Sequence, residues 1–388
     1  MNLNAQFIEK FSCPPHVLAR APGRVNLLGE HVDYNEGPVL PVAIDRAVYL
    51  AAAPDEEPLV TLYALDLDEK VIFSHDNLPA KRTTEGDPLP AWALYPAGVA
   101  WALQQAGFSP GGMRAVYASN VPIGAGLSSS AAVEVGFAVL WQALATWKTD
   151  PLTLAQICQR AENMYVGLSC GLMDQFSSAC GVEDHALYFD TRSLEWQAAP
   201  LPENTSIIIA DSGVRRSLTK SAYNDRRAAC EKAVEILRGY LPTIHSLRDV
   251  SPIEFMAYST ALPETVRRRA EHIVKEIARV ESALSALHRQ DRLAFGALMY
   301  AGHASLRDLY EVSTPELDTL VEIARSLPGT VGARLTGAGF GGCTVNLVNS
   351  AQAEAFILGL QHGYYERTGR QAQVYECQAS QGASACII

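Results

Sequence analysis

The eight cysteines of this chain, Cys13, Cys158, Cys170, Cys180, Cys230, Cys343, Cys377 and Cys386, form no C-x-x-C pair and no zinc-like spacing. That absence argues against a disulfide framework or a zinc site and leaves free, reduced thiols, as expected of a cytoplasmic protein. Long apolar runs are also missing: nothing approaches the roughly 18 consecutive apolar residues that a membrane span needs. The opening MNLNAQFIEKF is too polar for a secretory signal, and Cys386 lies third from the end, off the fourth-from-last position that prenylation requires. No membrane partner is expected. Positive charge is scarce as well. With 31 Lys and Arg against 42 Asp and Glu, the net charge of −11 would repel a polyanion. The one basic run, Arg267 to Arg269, sits in a helical pattern and reads as a solvated face, so nucleic acid is not an expected partner either. Internal repeats and low-complexity tracts are absent.

What remains is an ordinary globular composition, 48% hydrophobic and 19% charged, in 388 residues with room for two domains. VTLYAL at 60 to 65, KVIFSH at 70 to 75 and MRAVYAS at 113 to 119 alternate or cluster strand formers. Segments 91 to 106, 128 to 146 and 152 to 167 have helical length and period, with Gly167 and Gly171 breaking the last one just before Asp174. Strands joined by a turn are expected over 186 to 210. Helices dominate from 219 to 325, with breaks at Pro252, Pro263 and Pro315, and strands return around one helix near 350 to 367. This places a domain boundary near 200, giving units 1–200 and 201–388.

Three glycine-punctuated stretches carry the chemistry. Residues 120 to 135, NVPIGAGLSSSAAVEV, set Gly124, Ala125, Gly126 and Leu127 before Ser128, Ser129 and Ser130 at a helix start, where free N–H groups favour an anion. Phosphate is the first suspicion. No lysine follows, so this is not a P-loop, and taken alone such a turn is equally a common structural device. Residues 20 to 45, RAPGRVNLLGEHVDYNEGPVLPVAID, crowd Arg24, Asn26, Glu30, His31, Asp33 and Tyr34 between two apolar runs. Polar groups at this density either face solvent or converge on a polar ligand. Pro22 and the glycines favour irregular backbone over a plain strand. Residues 332 to 348, GARLTGAGFGGCTVNLV, place five glycines in eleven residues ahead of a strand-like run. Leu335, Phe340 and the strand argue for a close-packed turn rather than a linker.

On these residues the chain resembles the galactokinases of the GHMP small-molecule kinase superfamily. GRVNLLGEHVDYN resembles the galactokinase signature, PIGAGLSSSAA the superfamily's ATP-binding loop and GARLTGAGFGGC its C-terminal glycine motif, with CGLMDQ at 170 to 175 and SAYNDRR at 221 to 227 between them. The resemblance implies an α+β protein of two domains with the active site between them. The first would be ribosomal-S5-like, with a left-handed βαβ unit that ordinary crossover rules disfavour, and the second ferredoxin-like, with Gly337, Gly339, Gly341 and Gly342 as its structural glycine motif.

The same resemblance implies the roles of individual residues. Asp174 matches the catalytic aspartate that accepts the proton of the sugar's anomeric hydroxyl, and Arg24 matches its partner, part positioner and part stabiliser of the transferred phosphoryl. Without the resemblance, a helix cap is the alternative reading of Asp174. Ser130 and Glu162 match the Mg²⁺ ligands, consistent with that ion's taste for few protein oxygens, although a helical glutamate is ordinarily a solvated surface residue. Ser128 and Ser129 would line the triphosphate. Trp92 and Tyr95 resemble the segment that stacks on adenine, with Leu94 in place of the usual asparagine; by themselves they read as core aromatics. Glu30, His31, Asp33, Gly171, Asp174 and Tyr223 match the galactose contacts. Pro38 departs from the bulky apolar residue expected after DYNEG. The implied reaction is transfer of the γ-phosphate of MgATP to the C1 hydroxyl of D-galactose. The alternatives are an N-acetylgalactosamine kinase, a sugar- and ATP-binding regulator without turnover, or a mevalonate- or homoserine-type kinase, although the last should lack GRVNLLGEHVDYN.

Overall fold

The computed structural model describes residues 2–122, 124–145, 147–168, 170–215 and 219–388, without the side chains of 219–221. Position 123 of the first glycine loop and the side chain of Ser221 in SAYNDRR therefore lie outside the described residues. The described strands are β1 (Val17–Asn26), β2 (Pro38–Val39), β3 (Pro41–Asp55), β4 (Leu59–Ala64), β5 (Glu69–Ser74), β6 (Gly112–Ser119), β7 (His185–Asp190), β8 (Trp196–Pro200), β9 (Thr205–Asp211), β10 (Thr330–Leu335), β11 (Cys343–Asn349), β12 (Gln373–Cys377) and β13 (Ser384–Ile387). The α-helices are α1 (Leu3–Phe11), α2 (Leu94–Gln105), α3 (Ser129–Ala145), α4 (Pro151–Arg160), α5 (Met173–Cys180), α6 (Thr219–Leu237), α7 (Pro252–Tyr258), α8 (Glu264–His288), α9 (Arg292–Ser305), α10 (Pro315–Ser326) and α11 (Ala353–Thr368).

Two main sheets divide the chain. The first has the order β13-β1-β3-β6-β4-β5, and its one parallel pair, β4 with β6, has α2 in its connection. The second, β10-β11-β9-β12, is antiparallel throughout. Read along the chain it runs strand, helices, two strands, helix, strand, which is the ferredoxin-like order. A smaller antiparallel sheet, β2-β7-β8, takes β2 from between β1 and β3 of the first sheet. The apolar helix α3 is buried on nearly every side, and Gly136 lets it approach β3, where a Cβ would come within 2.8 Å of Leu50. A second core joins the halves: Leu27, Leu40 and Val42 from the signature region pack in one cluster with Ile207, Val345, Val280 and Phe295.

Proline marks the helix starts as the sequence suggests. Pro252 and Pro315 occupy the first turn of α7 and α10, capped by Ser251 and Thr314, and Pro263 is the residue before α8. Four features differ from the sequence reading. Ala21, Pro22 and Gly23 lie inside β1, not in an irregular loop, and the strand absorbs them through a register shift between Pro22 and Arg24. The helix expected over 152 to 167 leaves α-geometry at Ala161 and ends in a π-helical turn, Ala161–Val166, closed by Gly167 at φ 86°. Arg269 is buried rather than solvated, donating to the Leu309 carbonyl and pairing with Glu311. Finally β13 returns to the first sheet and pairs with β1, although its sequence position falls in the 201–388 unit.

Candidate active site

Asp174 stands on the first turn of α5 at the wall of a cavity of about 690 Å³. Its carboxylate does not cap the helix. Oδ1 instead accepts from Arg24, at 2.8 Å from Nε and 2.6 Å from Nη2, and Oδ2 accepts from the Ser128 hydroxyl at 2.5 Å. Arg24 also donates from Nη1 to the Gly126 carbonyl at 2.7 Å. One buried guanidinium therefore ties the end of β1 to both the aspartate and the glycine loop. Ser128 reaches Asp174 from left-handed backbone at φ 58°, so the hydroxyl expected at the triphosphate is bonded to the aspartate.

The sugar-signature side chains converge on the same cavity. Arg24, Glu30, His31, Asp33, Gly171 and Tyr223 all line it, together with Gly126, Ser128, Ser129 and Ser130 from the glycine loop. A Cβ at Gly171 would fall 1.8 Å from Asp33 Oδ2, which explains glycine at that position. Burial, and then the neighbouring Asp174 carboxylate, push the Asp33 carboxyl up to about 6. His31 sits at φ 65°, with Nδ1 2.9 Å from the Tyr34 hydroxyl and Nε2 3.2 Å from the Ala338 carbonyl. The latter carbonyl belongs to the third glycine motif. There Gly337, Gly339, Gly341 and Gly342 all have positive φ, and a Cβ at Gly339 would meet the Val312 carbonyl at 2.3 Å. Of this motif, Gly337 and Ala338 reach the cavity.

Glu30 lines the cavity but already has protein partners. Arg334 pairs with its Oε2, and the Gly337 N–H lies 3.4 Å from Oε1. Arg334 is itself fully buried and also donates to Glu276 at 2.9 Å. A carboxylate offers about four lone-pair sites, so Glu30 retains acceptor capacity beyond these bonds.

On the other side of the loop, Glu162 is buried in the π-helical turn. Its Oε2 accepts from Gln175 Nε2 at 2.6 Å and from the Cys170 thiol at 3.1 Å, and the Ser130 side chain also hydrogen-bonds to it. Burial raises the Glu162 carboxyl above its ordinary value despite these donors. Trp92 and Tyr95 do not line the cavity. Trp92 precedes α2, donates to Glu69 at 2.5 Å and lies against Tyr117, while Tyr95 is near enough to Glu162 and Glu134 to feel their charge.

Sequence reasoning missed several residues. Arg215 and Asn224 line the cavity, and Glu134, Gln175 and Arg334 are its buried polar supports. Gln175 stood next to Asp174 in CGLMDQ, and Arg334 was the lone cation in a glycine-rich stretch. Those were the available signals.

The fold and this site define a GHMP-type small-molecule kinase. The family described as "GHMP kinases N terminal domain" matches residues 95–182, and "GHMP kinases C terminal" matches 283–366. The "Galactokinase galactose-binding signature" matches residues 5–54. A galactokinase of Roseiflexus sp. (strain RS-1) is 46% identical over 98% of this chain and 95% of its own length, and one of Chloroflexus aurantiacus is 42% identical over 99% and 97%. The crystal structure of Lactococcus lactis galactokinase complexed with galactose superposes with a TM-score of 0.92 at 34% identity, covering 98% of both chains. Methanococcus jannaschii mevalonate kinase shares the fold, with a TM-score of 0.67 at 18% identity over 94% of this chain and 99% of that one. The chain belongs to the galactokinase family.

Proposed function

We propose that this chain transfers the γ-phosphoryl group of MgATP to the anomeric C1 hydroxyl of D-galactose, giving galactose 1-phosphate and ADP. The observation that carries this reading is the Arg24–Asp174–Ser128 junction, which joins the sugar-signature residues to the glycine loop in one cavity. Asp174 accepts the C1 hydroxyl proton as the sugar oxygen bonds to the γ-phosphorus and the bond to the β–γ bridging oxygen breaks. Arg24 holds the carboxylate through two nitrogens and places a positive charge beside the developing phosphoryl charge. Glu30, His31, Asp33, Gly171 and Tyr223 orient the sugar, and the backbone of residues 124 to 130 receives the triphosphate. Rejection of an epimer follows when a buried acceptor is left without its hydroxyl. Trp92 and Tyr95, outside the cavity lining, are proposed for the adenine end.

The residues present fit magnesium. Ser130 and Glu162 supply the two hard oxygen ligands from protein that this ion ordinarily takes, beside the phosphate loop. When bound there, Mg²⁺ neutralises charge on the β- and γ-phosphates. The location proposed is cytoplasmic, which the cysteine spacing, without a C-x-x-C pair, supports; no described helix is long and apolar enough to cross a membrane.

The test is MgATP-dependent ADP release with galactose, N-acetylgalactosamine, glucose and mevalonate offered separately. Turnover with galactose alone is expected. Preference for another acceptor would replace the substrate, and binding of sugar and ATP without turnover by any would replace the enzyme with a regulator.

A further inference from the structure

Asp174 and Gln175 are consecutive on the first turn of α5, yet they serve different neighbours. Asp174 meets Arg24 and Ser128 at the cavity, whereas Gln175 is fully buried between two carboxylates. Its Nε2 donates to Glu162 Oε2 at 2.6 Å and to Glu134 Oε2 at 2.9 Å. An amide NH₂ carries two protons, so one group serves both acceptors, and the two acceptors together fix which way the amide faces. Glu134 lies one helical turn beyond Ser130 on α3 and is fully buried. Glu134 Oε1 and Gln175 Oε1 have no hydrogen-bond partner among the described residues.

Apolar side chains would fill this interior without the penalty of burying a second glutamate and two unpartnered oxygens. Fold stability therefore does not account for the arrangement. What it does provide is orientation. Glu162 is reached from three sides, by Gln175, the Cys170 thiol and Ser130, and Gln175 is itself anchored by Glu134.

We propose that Gln175 is a positioning residue for magnesium: held by Glu134, its amide sets the orientation in which Glu162 meets the metal. The inference rests on the reading of Glu162 as a magnesium ligand. Magnesium demands near-ideal octahedral geometry, so a misdirected carboxylate loses affinity rather than adapting. Partners that orient metal ligands typically contribute tenfold to a hundredfold in metal affinity. Because Asp174 and Gln175 share one helical turn, the proton acceptor and the metal ligand's support are set by the same piece of backbone.

The experiment is titration of the full-length protein with Mn²⁺ at saturating ADP, followed by electron paramagnetic resonance of the free ion, which requires no turnover. Gln175→Met, which keeps length and removes the donor, is expected to weaken Mn²⁺ binding about tenfold or more while galactose affinity, measured by calorimetry without nucleotide, stays within about twofold. Glu162→Gln in the same titration separates the two readings. If it weakens Mn²⁺ binding and Gln175→Met does not, the positioning role is overturned and the metal ligand stands. If Glu162→Gln leaves Mn²⁺ binding unchanged, both fall. Should Gln175→Met not fold, Glu134→Met removes the amide's second anchor, and a loss of about threefold is expected there; an unchanged affinity overturns the proposal.

Discussion

Two buried acidic clusters flank the cavity, and they differ in the groups that share their carboxylates. In the first, Glu30 and Glu276 are interleaved with Arg334 and Arg279. Burial alone would raise both, but Arg334 and Arg279 hold Glu276 well below the usual carboxylate range, whereas burial outweighs Arg334 at Glu30 and pushes it up to about 7. In the second, Glu134 and Glu162 share a neutral amide, and burial, followed by the charge of Glu162, pushes Glu134 far above its ordinary value. The first cluster joins the signature turn, α8 and β10, so its charges are spent on holding the two halves together. The second lies beside the glycine loop and shares the neutral Gln175 amide and Cys170 thiol, so burial favours its protonated carboxyls; the magnesium proposed above would favour the ionised forms. Burial by itself therefore does not distinguish a structural carboxylate from a functional one; the balance of charge around it does.

The contrast can be broken most directly at Arg334. Arg334→Met would leave Glu30 and Glu276 buried without their shared cation, and a loss of about 3–5 kcal/mol is expected in urea unfolding. A near-neutral result would mean that the first cluster is not a structural joint. Glu162→Gln should behave in the reverse manner, with stability within about 1 kcal/mol of the parent and a magnesium requirement raised about tenfold. Equal stability losses from both variants would erase the distinction.

The smallest effect concerns Asp33, between the clusters. Its folded value of about 6 lies above the unfolded 3.8, so its bound proton stabilises the fold fully below about 3.8 and that contribution is lost as pH rises through about 6. Asp33→Asn should therefore raise the unfolding midpoint relative to the parent more at pH 8 than at pH 5. Because the side chain borders an open cavity, the gain should be about 1 kcal/mol or less. Thermal melts at the two pH values check the sign, and calorimetry should show galactose binding lost.

The contrast also marks what the sequence reveals. Arg24, Glu30 and Asp33 stood out as candidates because they sit in a dense polar motif, Ser130 because it follows a glycine loop, and Glu162 and Asp174 only through the family resemblance; the glycine-rich stretch announced a turn in which Gly337, Gly339, Gly341 and Gly342 have positive φ. Their pairings were not legible. Glu30 and Arg334 are separated by 304 positions, and Gln175 meets Glu134 across 41. Local pattern carries no information about such contacts. The same reason hides β13, whose return to β1 is set by a free sheet edge rather than by its own four residues, and Arg269, whose partner Glu311 lies 42 positions away. Ser128 shows the limit within a motif: its place in the loop was evident, but the left-handed backbone that turns its hydroxyl to Asp174 was not.

The most direct measurement is turnover by Asp174→Asn, with galactose and ATP binding measured on the same preparation. Retained binding with a loss of at least about a hundredfold in kcat is expected if the carboxylate takes the C1 proton. Near-normal turnover would contradict that role and return the Arg24–Asp174–Ser128 junction to a purely structural one.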